Sequence, residues 1–363
     1  MRIFHLIYDH SGNPWVGGGG AVRAWEIYKR LAPRHEITII SGRYPGVEDY
    51  TREGIRFHFE GSSKDNYILS TFCYAASAFR FLRKNGGDAD VVVEDFAPWN
   101  PVFPGFAVKK PAILHVNHRE GAGVLKRWYF LPGVPFYLIE KFYPLLFENV
   151  TALSEETRKK FGVNAQILPA GIDEKLIVDS PAEKQAFLFF AGRLHIKNKG
   201  LDTLLQAMRL LPSEKLIIAG RGPDEEKLKR VQKELGLANV EFAGFVDEEK
   251  KMELMRRAKL FVLPSRFEGY GIVLLESAAC GTPAVVSDIP ELGFAVREGF
   301  ALSSRTGDPE DLAGKINLLL SDKGAREEMG ARGRSYARNY SWDRISAGYE
   351  GYLSKIKERV NKY

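Results

Sequence analysis

The sequence predicts an α/β protein of two domains, each built on a parallel sheet. Three observations lead to this prediction. The chain has 363 residues, which suits two domains of ordinary size. Short apolar runs alternate with amphipathic stretches along the chain, a rhythm typical of parallel-sheet domains. One polar stretch, residues 173–185, interrupts this alternation and contains Pro181, so it indicates a linker.

The apolar runs predict the strands in chain order. We expect seven strands before the linker and five after it, with helices between them that include Ala21–Leu31 and Tyr67–Lys84. The predicted strands are Ile3–Tyr8, Glu36–Ile40, Ile55–Phe59, Val91–Glu94, Ala112–Val116, Val150–Leu153 and Ala165–Leu168, then Ala186–Ala191, Lys215–Ala219, Val240–Ala243, Leu260–Leu263 and Ala284–Val286.

The end of the chain predicts a closing helix, because five large apolar side chains recur there at helical spacing. They are Trp342, Ile345, Tyr349, Tyr352 and Ile356. We therefore expect an N-terminal domain at 1–172, a linker at 173–185, a second domain at 186–340, and a helix at 341–363 that packs back on the first domain.

Composition excludes several classes of protein. The chain has 52 basic and 46 acidic residues, and this net charge of +6 is too small for a dedicated nucleic-acid binder, although it suits an anionic ligand or a membrane surface. The two cysteines, Cys73 and Cys280, exclude a disulfide framework and favour the cytoplasm. The apolar strand at Met1–Tyr8 leads directly into a glycine-rich segment, so we expect no secretory signal.

Four consecutive glycines, Gly17 to Gly20, follow the first strand and precede the helix at Ala21. Backbone without side chains allows close approach of a ligand, and the N–H groups at a helix start favour an anion. We therefore expect Gly18, Gly19 and Gly20 to contact a ligand. The alternative is a flexible loop, and the contiguous glycines do not match the dinucleotide-binding fingerprint.

A second anion site is indicated where the first strand of the second domain ends. Arg193 follows that strand and Lys199 opens the next helix, so a guanidinium and an ammonium would converge on one diphosphate. Lys197 competes for the role of Lys199. The segment Gly220-Arg221-Gly222-Pro223 repeats the turn from strand to glycine one unit later.

Two glutamates with seven residues between them form the most informative motif. Glu268 lies in the loop after strand Leu260–Leu263, and Glu276 lies on the helix that Gly269 and Gly271 introduce. A carboxylate on an apolar helix is costly unless it accepts hydrogen bonds, and sugar hydroxyls are suitable donors. The alternative for Glu276 is an ion pair within the core.

With these motifs, the chain resembles the retaining glycosyltransferases of family 4, which have the GT-B fold of two facing Rossmann-like domains with a deep interdomain cleft. The resemblance also rests on Gly171-Ile172-Asp173, on the segment from Gly192 to Asp202, and on the final helix. It covers nearly the whole chain.

The resemblance implies a role for each motif. Arg193 and Lys199 would hold the diphosphate of a nucleotide sugar, and Glu276 the ribose hydroxyls. Glu268 would face the donor sugar with the backbone of Gly269, Tyr270, Gly271 and Ile272. Gly222 and Phe245 would border the nucleotide, and Gly17–Gly20 would close over the donor. The resemblance implies neither a cofactor nor a metal. The segment Asp88-Ala89-Asp90 looks like a metal-binding pair, but it precedes a strand, so we interpret it as a solvated turn.

On the acceptor side the family usually has a histidine soon after the strand that Pro111 opens here. The segment His115-Val116-Asn117-His118 offers two positions. Spacing favours Asn117, whereas residue type favours His118, and both remain candidates. His115 points to the other side of a pleated strand and is a weaker candidate.

The segment Gly121–Phe147 is rich in aromatic and aliphatic residues, with Lys126, Arg127 and Lys141 among them. Its three prolines exclude a membrane-spanning helix. Trp128, Tyr129 and Phe130 would suit the headgroup region of an anionic membrane, and a helix of the protein core is the equal alternative.

We therefore expect a cytoplasmic hexosyltransferase, peripheral at the membrane, that transfers with retention from a nucleotide-diphosphate sugar to a sugar or lipid-linked acceptor. Arg193, Lys199, Glu268 and His118 would form its catalytic set. The alternatives are a non-hydrolysing nucleotide-sugar epimerase of the same fold and a catalytically idle scaffold that binds a nucleotide or a membrane.

Overall fold

The computed structural model describes residues 1–16, 18–127, 130–177 and 184–360. The chain divides into two compact units. Met1–Ala170 and Trp342–Tyr363 form the N-terminal unit, and Gly171–Ser341 form the C-terminal unit. Each unit contains a sheet of mainly parallel strands connected through helices, which confirms the predicted α/β class. Residues 178–183, in the predicted linker, lie outside the described residues.

The N-terminal unit holds an eight-stranded sheet in the order β3-β4-β2-β1-β5-β6-β7-β8. Only β3 is antiparallel to its neighbour. The sequence did not predict β3, because a strand of three exposed residues is too short to give a periodic apolar pattern. The strands are β1 (Arg2–Ile7), β2 (Glu36–Gly42), β3 (Tyr50–Arg52), β4 (Ile55–Glu60), β5 (Val91–Asp95), β6 (Ala112–Val116), β7 (Asn149–Ala152) and β8 (Gln166–Ile167).

Six helices follow these strands before the linker. The first begins two residues earlier than predicted, so Gly19 and Gly20 form its first turn and are not a loop. The second starts at the predicted residue, where the Asn66 side chain accepts a hydrogen bond from the Leu69 N–H. The helices are α1 (Gly19–Leu31), α2 (Tyr67–Asn85), α3 (Pro104–Ala107), α4 (Gly123–Arg127), α5 (Phe130–Phe142) and α6 (Glu155–Phe161), and a 3₁₀ turn (Tyr143–Leu146) follows α5.

The C-terminal unit holds a six-stranded parallel sheet in the order β11-β10-β9-β12-β13-β14. Its central strands are buried on both faces, with Phe189, Phe190 and Phe261 fully enclosed. The strand β14 was not predicted, because its four residues end in two serines and give no apolar run. The strands are β9 (Gln185–Ala191), β10 (Lys215–Ala219), β11 (Val240–Gly244), β12 (Ala258–Leu263), β13 (Ala284–Ser287) and β14 (Ala301–Ser304).

The helices of this unit connect the parallel strands and cover the sheet. They are α7 (Ile196–Lys199), α8 (Leu201–Arg209), α9 (Glu225–Glu234), α10 (Glu248–Arg257), α11 (Ile272–Ala279), α12 (Gly293–Arg297), α13 (Pro309–Ser321) and α14 (Lys323–Ala337).

The last helix, α15 (Trp342–Val360), belongs to the N-terminal unit and packs against α1. Its inward face buries Trp342, Ile345 and Tyr349. At the edge of this contact, Arg34 forms a bidentate ion pair with Glu350, with N–O distances of 2.9 and 2.7 Å. Within the described residues, no helix is both long enough and apolar enough to cross a bilayer.

A buried carboxylate, Glu94, holds the loop after β5 against the 3₁₀ turn. Its Oε1 accepts a hydrogen bond from the Val102 N–H at 2.8 Å, and its Oε2 accepts one from the Tyr143 hydroxyl at 2.7 Å. The same hydroxyl accepts from the Phe103 N–H at 2.7 Å. Complete burial raises the pKa of Glu94 to about 7, because the hydrogen bonds only partly offset the loss of water.

This raised pKa makes stability depend on pH. Native Glu94 keeps its proton to about pH 7, whereas an unfolded glutamate releases it near 4.5, so the contribution of Glu94 to the free energy of unfolding falls as pH rises between these values. Glu94→Gln cannot ionise. We predict that its free energy of unfolding, relative to that of the wild type, increases by on the order of 2–3 kcal/mol from pH 5 to pH 8.

Urea unfolding at both pH values measures this gain. The exposed Glu148→Gln is the matched control and should follow the wild type. A Glu94→Gln variant with the wild-type pH dependence would contradict the assignment.

Candidate functional site

The carboxyl ends of β9, β10 and β12 meet at one edge of the C-terminal sheet, and the turns that follow them interlock. The Gly192 N–H donates to the Ala219 carbonyl at 3.0 Å, and the Leu194 N–H donates to the Arg221 carbonyl at 2.9 Å. Ligands of open parallel sheets bind outside this edge. We therefore take these turns as the candidate donor site.

Close backbone packing explains two of the glycines at this edge. Gly220 has φ +137°, and a Cβ atom there would overlap the Gly192 carbonyl oxygen. A Cβ atom on Gly222 would overlap the carbonyl oxygen of Leu194. Gly222 was predicted to border the nucleotide, and the structure gives its small size a packing reason; its contact with a ligand stays a prediction.

Lys199 and Glu268 lie together at the centre of the candidate site. The Lys199 Nζ donates to the Glu268 Oε1 at 2.5 Å, and the Ser265 hydroxyl donates to the same oxygen at 2.8 Å. The Glu268 side chain is only 9% exposed and that of Lys199 19%. The structure therefore joins a residue predicted for the diphosphate to one predicted for the donor sugar.

Arg266 was missed by the sequence analysis as a member of the site. Its guanidinium bridges Asp202 of α8 at 2.8 Å and donates to the Ile196 carbonyl of α7 at 3.2 Å. The backbone N–H of Arg266 donates to the Asn198 carbonyl at 2.7 Å. Because Arg266 joins the loop after β12 to α7 and α8, it fixes the position of Lys199. Its place two residues before Glu268 was the available signal.

Four of the described side chains at this edge are exposed: Arg193, Lys197, Arg221 and Phe245. The Arg193 guanidinium and the Lys197 ammonium make no hydrogen bond or ion pair with any residue that the structure describes. Phe245, after β11, is 67% exposed, and the Arg221 guanidinium lies 5.9 Å from the centre of its ring. An unpaired cation and an exposed aromatic ring are the chemistry that a phosphate and a base require.

The helix α11 begins without a side-chain cap. Gly271 precedes it with φ +79°, and a Cβ atom on Gly269 would meet open space. Ile272 is the first helical residue, so the uncapped N–H groups start there. Tyr270 turns inward and stacks on Phe294 at 5.5 Å, which leaves only its backbone for the predicted donor contact.

Glu276, on α11, forms the ion pair that the sequence analysis considered as an alternative. Its Oε2 lies 2.8 Å from the Nζ of Lys251, which also pairs with Glu248 at 2.8 Å. The Oε2 atom has almost no exposed surface. Burial raises the pKa of Glu276, and Lys251 opposes that shift. Glu276 is therefore held in a buried ion pair, and its contact with ribose hydroxyls stays a prediction.

In the N-terminal unit, Asp9 lies at the carboxyl end of β1 against the start of α1. Its Oδ2 is 3.3 Å from the position a Cβ atom would take on either Gly18 or Gly20, so these two glycines admit the carboxylate. Burial, together with the nearby charge of Asp95, raises the pKa of Asp9 to about 6. Gly17 lies outside the described residues. The sequence analysis missed Asp9, although its position two residues after a strand was a signal.

A buried polar network fixes Asn117, one of the two acceptor-side candidates. The Asn117 Nδ2 donates to Asp95 at 2.7 Å, and its Oδ1 accepts from Arg23 at 3.3 Å. Asp95 also pairs with His5 at 2.6 Å, and this contact lowers the pKa of Asp95 well below its ordinary range although burial alone would raise it. The Asn117 side chain therefore has partners at both ends.

The two histidines beside Asn117 differ in environment. His115 is buried, bonds to the Thr151 hydroxyl and lies 5.5 Å from the ring of Tyr349 on α15. Burial lowers its pKa well below the ordinary value, so the ring stays neutral. His118 is half-buried and is the second residue after β6. His115 is thus part of the core, and the acceptor-side assignment of His118 or Asn117 stays a prediction.

Comparison with known proteins agrees with the geometry of the C-terminal unit. Residues 173–336 match the model of the family described as "Glycosyl transferases group 1". A D-inositol 3-phosphate glycosyltransferase of Acidothermus cellulolyticus is 35% identical over 188 residues, 47% of this chain and 42% of that protein. A phosphatidyl-myo-inositol mannosyltransferase of Mycobacterium leprae is 34% identical over 166 residues, 44% of each chain. The matches span about half the length of these curated relatives.

Solved structures extend the similarity of fold to the whole chain. A sucrose-phosphate synthase from Thermosynechococcus elongatus has a TM-score of 0.82 and 19% identity over 98% of this chain and 99% of its own. HepE from Anabaena, in complex with UDP and glucose, has a TM-score of 0.77 and 18% identity over 98% of this chain and 100% of its own.

These similarities confirm the predicted GT-B class, and the facing arrangement of the domains stays a prediction. The chain has the GT-B fold, and its residues 173–336 match the model of the group 1 glycosyltransferases.

Proposed function

We propose that the protein is a retaining glycosyltransferase that moves a hexosyl group from a nucleotide-diphosphate sugar to an acceptor hydroxyl. One observation supports this most strongly. Exposed Arg193, the Lys199–Glu268 pair and the uncapped start of α11 share the carboxyl edge of one parallel sheet. A relative of the same fold binds UDP and glucose, which supports a donor of this kind.

Departure of the nucleoside diphosphate is the step that these residues assist. The bond between the anomeric carbon and the phosphate oxygen breaks, and its electron pair leaves with the diphosphate. Arg193, Lys199 and the N–H groups at the start of α11 stabilise that growing negative charge. Two cationic side chains with a helix start supply the charge that a divalent ion would bring, so we propose that no metal and no cofactor is needed.

The two carboxylates have different roles in this proposal. Glu268 holds Lys199 in place through the 2.5 Å bond and faces the transferred sugar, while Glu276 accepts hydrogen bonds from the ribose hydroxyls. The acceptor hydroxyl then attacks the sugar from the face that the diphosphate leaves, which retains the anomeric configuration. We assign the acceptor contact to His118, because its residue type matches the histidine that the family usually has there.

The acceptor that we propose is lipid-linked. The relative named as a phosphatidyl-myo-inositol mannosyltransferase supports both a hexosyl donor and a lipid acceptor. We also propose a cytoplasmic location on the membrane face, because Cys73 and Cys280 are free thiols, as in reducing compartments.

Removing either proposed phosphate ligand should weaken the binding of the leaving group. We predict that Arg193→Ala and Lys199→Ala each weaken nucleoside diphosphate binding by about 1.5–3 kcal/mol, the scale of a charge-assisted hydrogen bond. Lys197→Ala removes an exposed ammonium two residues from Lys199 and should leave the affinity unchanged. Titration calorimetry with UDP, GDP and ADP measures these effects, and wild-type affinity in the first two variants would move the phosphate site elsewhere.

The two carboxylates should separate binding from turnover. We predict that Glu276→Ala weakens nucleoside diphosphate binding, because it removes a ribose acceptor. Glu268→Ala should bind nearly as the wild type, since Lys199 is then free for phosphate, but it should slow transfer. Glu248→Ala, which removes the other partner of Lys251, is the control for a disturbed ion pair. Normal binding and normal turnover in both Glu276→Ala and Glu268→Ala would refute these roles.

A further inference from the structure

The N-terminal unit exposes a group of large apolar side chains that the proposed reaction does not use. Nine of the fourteen large apolar side chains left exposed among the described residues belong to α2, α3 with the residue before it, α5 and the 3₁₀ turn. We name them the docking face: Ile68, Leu69, Phe72, Phe103, Phe106, Leu138, Phe142, Leu145 and Leu146.

The elements that carry the docking face contact one another. The Phe72 ring of α2 lies 6.5 Å from the Phe136 ring of α5, and α2 also packs against α3. Phe103, Phe106 and Leu146 line one cavity of about 260 Å³. Scattered apolar side chains are normal on protein surfaces, whereas a continuous group marks an interaction site.

The helix α5 buries its carboxylate and exposes apolar side chains. Glu140 is 1% exposed and accepts the N–H groups of Glu120 and Gly121, each at 2.7 Å. Leu138 and Phe142 are 44% and 50% exposed, and Lys141 is exposed beside them. Part of the segment Gly121–Phe147 is therefore core, and part is an exposed apolar surface.

Buried hydrogen bonds hold the loop that carries Phe103 of the docking face. The Glu94 carboxylate binds the Val102 N–H and the Tyr143 hydroxyl, and that hydroxyl binds the Phe103 N–H. The Phe103 ring meets the Tyr143 ring edge-on at 4.8 Å. The backbone that carries the exposed apolar side chains is therefore fixed from beneath.

The charge around the docking face is positive. Residues 101–148 include six lysines and arginines and three glutamates, and one of these glutamates, Glu140, is buried. Lys110 and Glu148 line the cavity beside Phe106, Lys109 is exposed just after α3, and Lys141 is exposed on α5. Trp128 and Tyr129, on which the sequence-based membrane hypothesis depended, lie outside the described residues, and the docking face does not include them.

We propose that the docking face binds the surface of an anionic lipid bilayer. Exposed leucine and phenylalanine side chains enter the boundary between headgroups and acyl chains, and the lysines at the rim contact the anionic headgroups. Each lysine contributes about fivefold to binding. The bilayer surface does not depend on the proposed function; only the use of a lipid-linked acceptor there rests on it.

Vesicle co-sedimentation of the full chain tests the proposal. We expect binding to vesicles of phosphatidylcholine with 30% phosphatidylglycerol on the order of tenfold or more tighter than to phosphatidylcholine alone, with a decrease at 0.5 M salt. Lys109→Glu/Lys110→Glu should weaken binding by about 30-fold or more. Leu145→Ser/Leu146→Ser should weaken it by about tenfold or more.

Matched controls separate position from composition. Leu210→Ser/Leu318→Ser removes two exposed leucines and Lys227→Glu/Lys233→Glu reverses two exposed lysines, all in the C-terminal unit, and both variants should bind vesicles as the wild type does. Failure of the wild type to bind anionic vesicles at low salt would overturn the proposal. Undiminished vesicle binding by the docking-face variants would also overturn it. So would self-association of the wild type in solution that these variants abolish.

Calorimetry with nucleoside diphosphates on the same preparations separates this proposal from the proposed function. Vesicle binding without nucleotide binding would support the docking face and contradict the proposed glycosyltransferase activity. Nucleotide binding without vesicle binding would contradict the docking face and leave the proposed glycosyltransferase activity supported.

Discussion

Parallel strands collect their carboxyl ends at one edge of a sheet, and the polar residues that follow those ends must find partners there. The C-terminal unit meets this constraint with interlocked turns, in which Gly192 and Leu194 donate to the turn after β10. Arg266 then joins the next turn to α7 and α8, which sets Lys199 against Glu268 at 2.5 Å. The site chemistry therefore depends on backbone packing that only glycine permits at Gly220 and Gly222.

The two sheets differ at this edge. In the N-terminal unit, Asp95 pairs with His5 and Asn117, and burial raises the pKa of the Asp9 carboxylate. The C-terminal edge exposes the Arg193 guanidinium near the uncapped start of α11. An exposed cation and uncapped N–H groups suit an anionic ligand, whereas carboxylates do not. This difference is why we propose that the donor binds the C-terminal unit.

The sequence predicted most of the strands because buried parallel strands appear as apolar runs. It missed β3 and β14, which are too short or too polar to give such a run. At the candidate site, glycine and charge patterns predicted roles for Arg193, Lys199, Glu268 and Glu276, and those roles stay predictions. The bond between Lys199 and Glu268, the role of Arg266 and the Lys251 partner of Glu276 depend on contacts between residues distant in the chain, which no local pattern records.

The central claim is that side chains and a helix start, without a divalent ion, carry the charge of the departing diphosphate. Release of nucleoside diphosphate from a panel of hexosyl nucleotides, measured in excess EDTA, tests it most directly, with Lys199→Ala as the background control. The account predicts turnover in EDTA equal to that in magnesium, and loss of turnover in the variant. Turnover that EDTA abolishes and manganese or magnesium restores would contradict it.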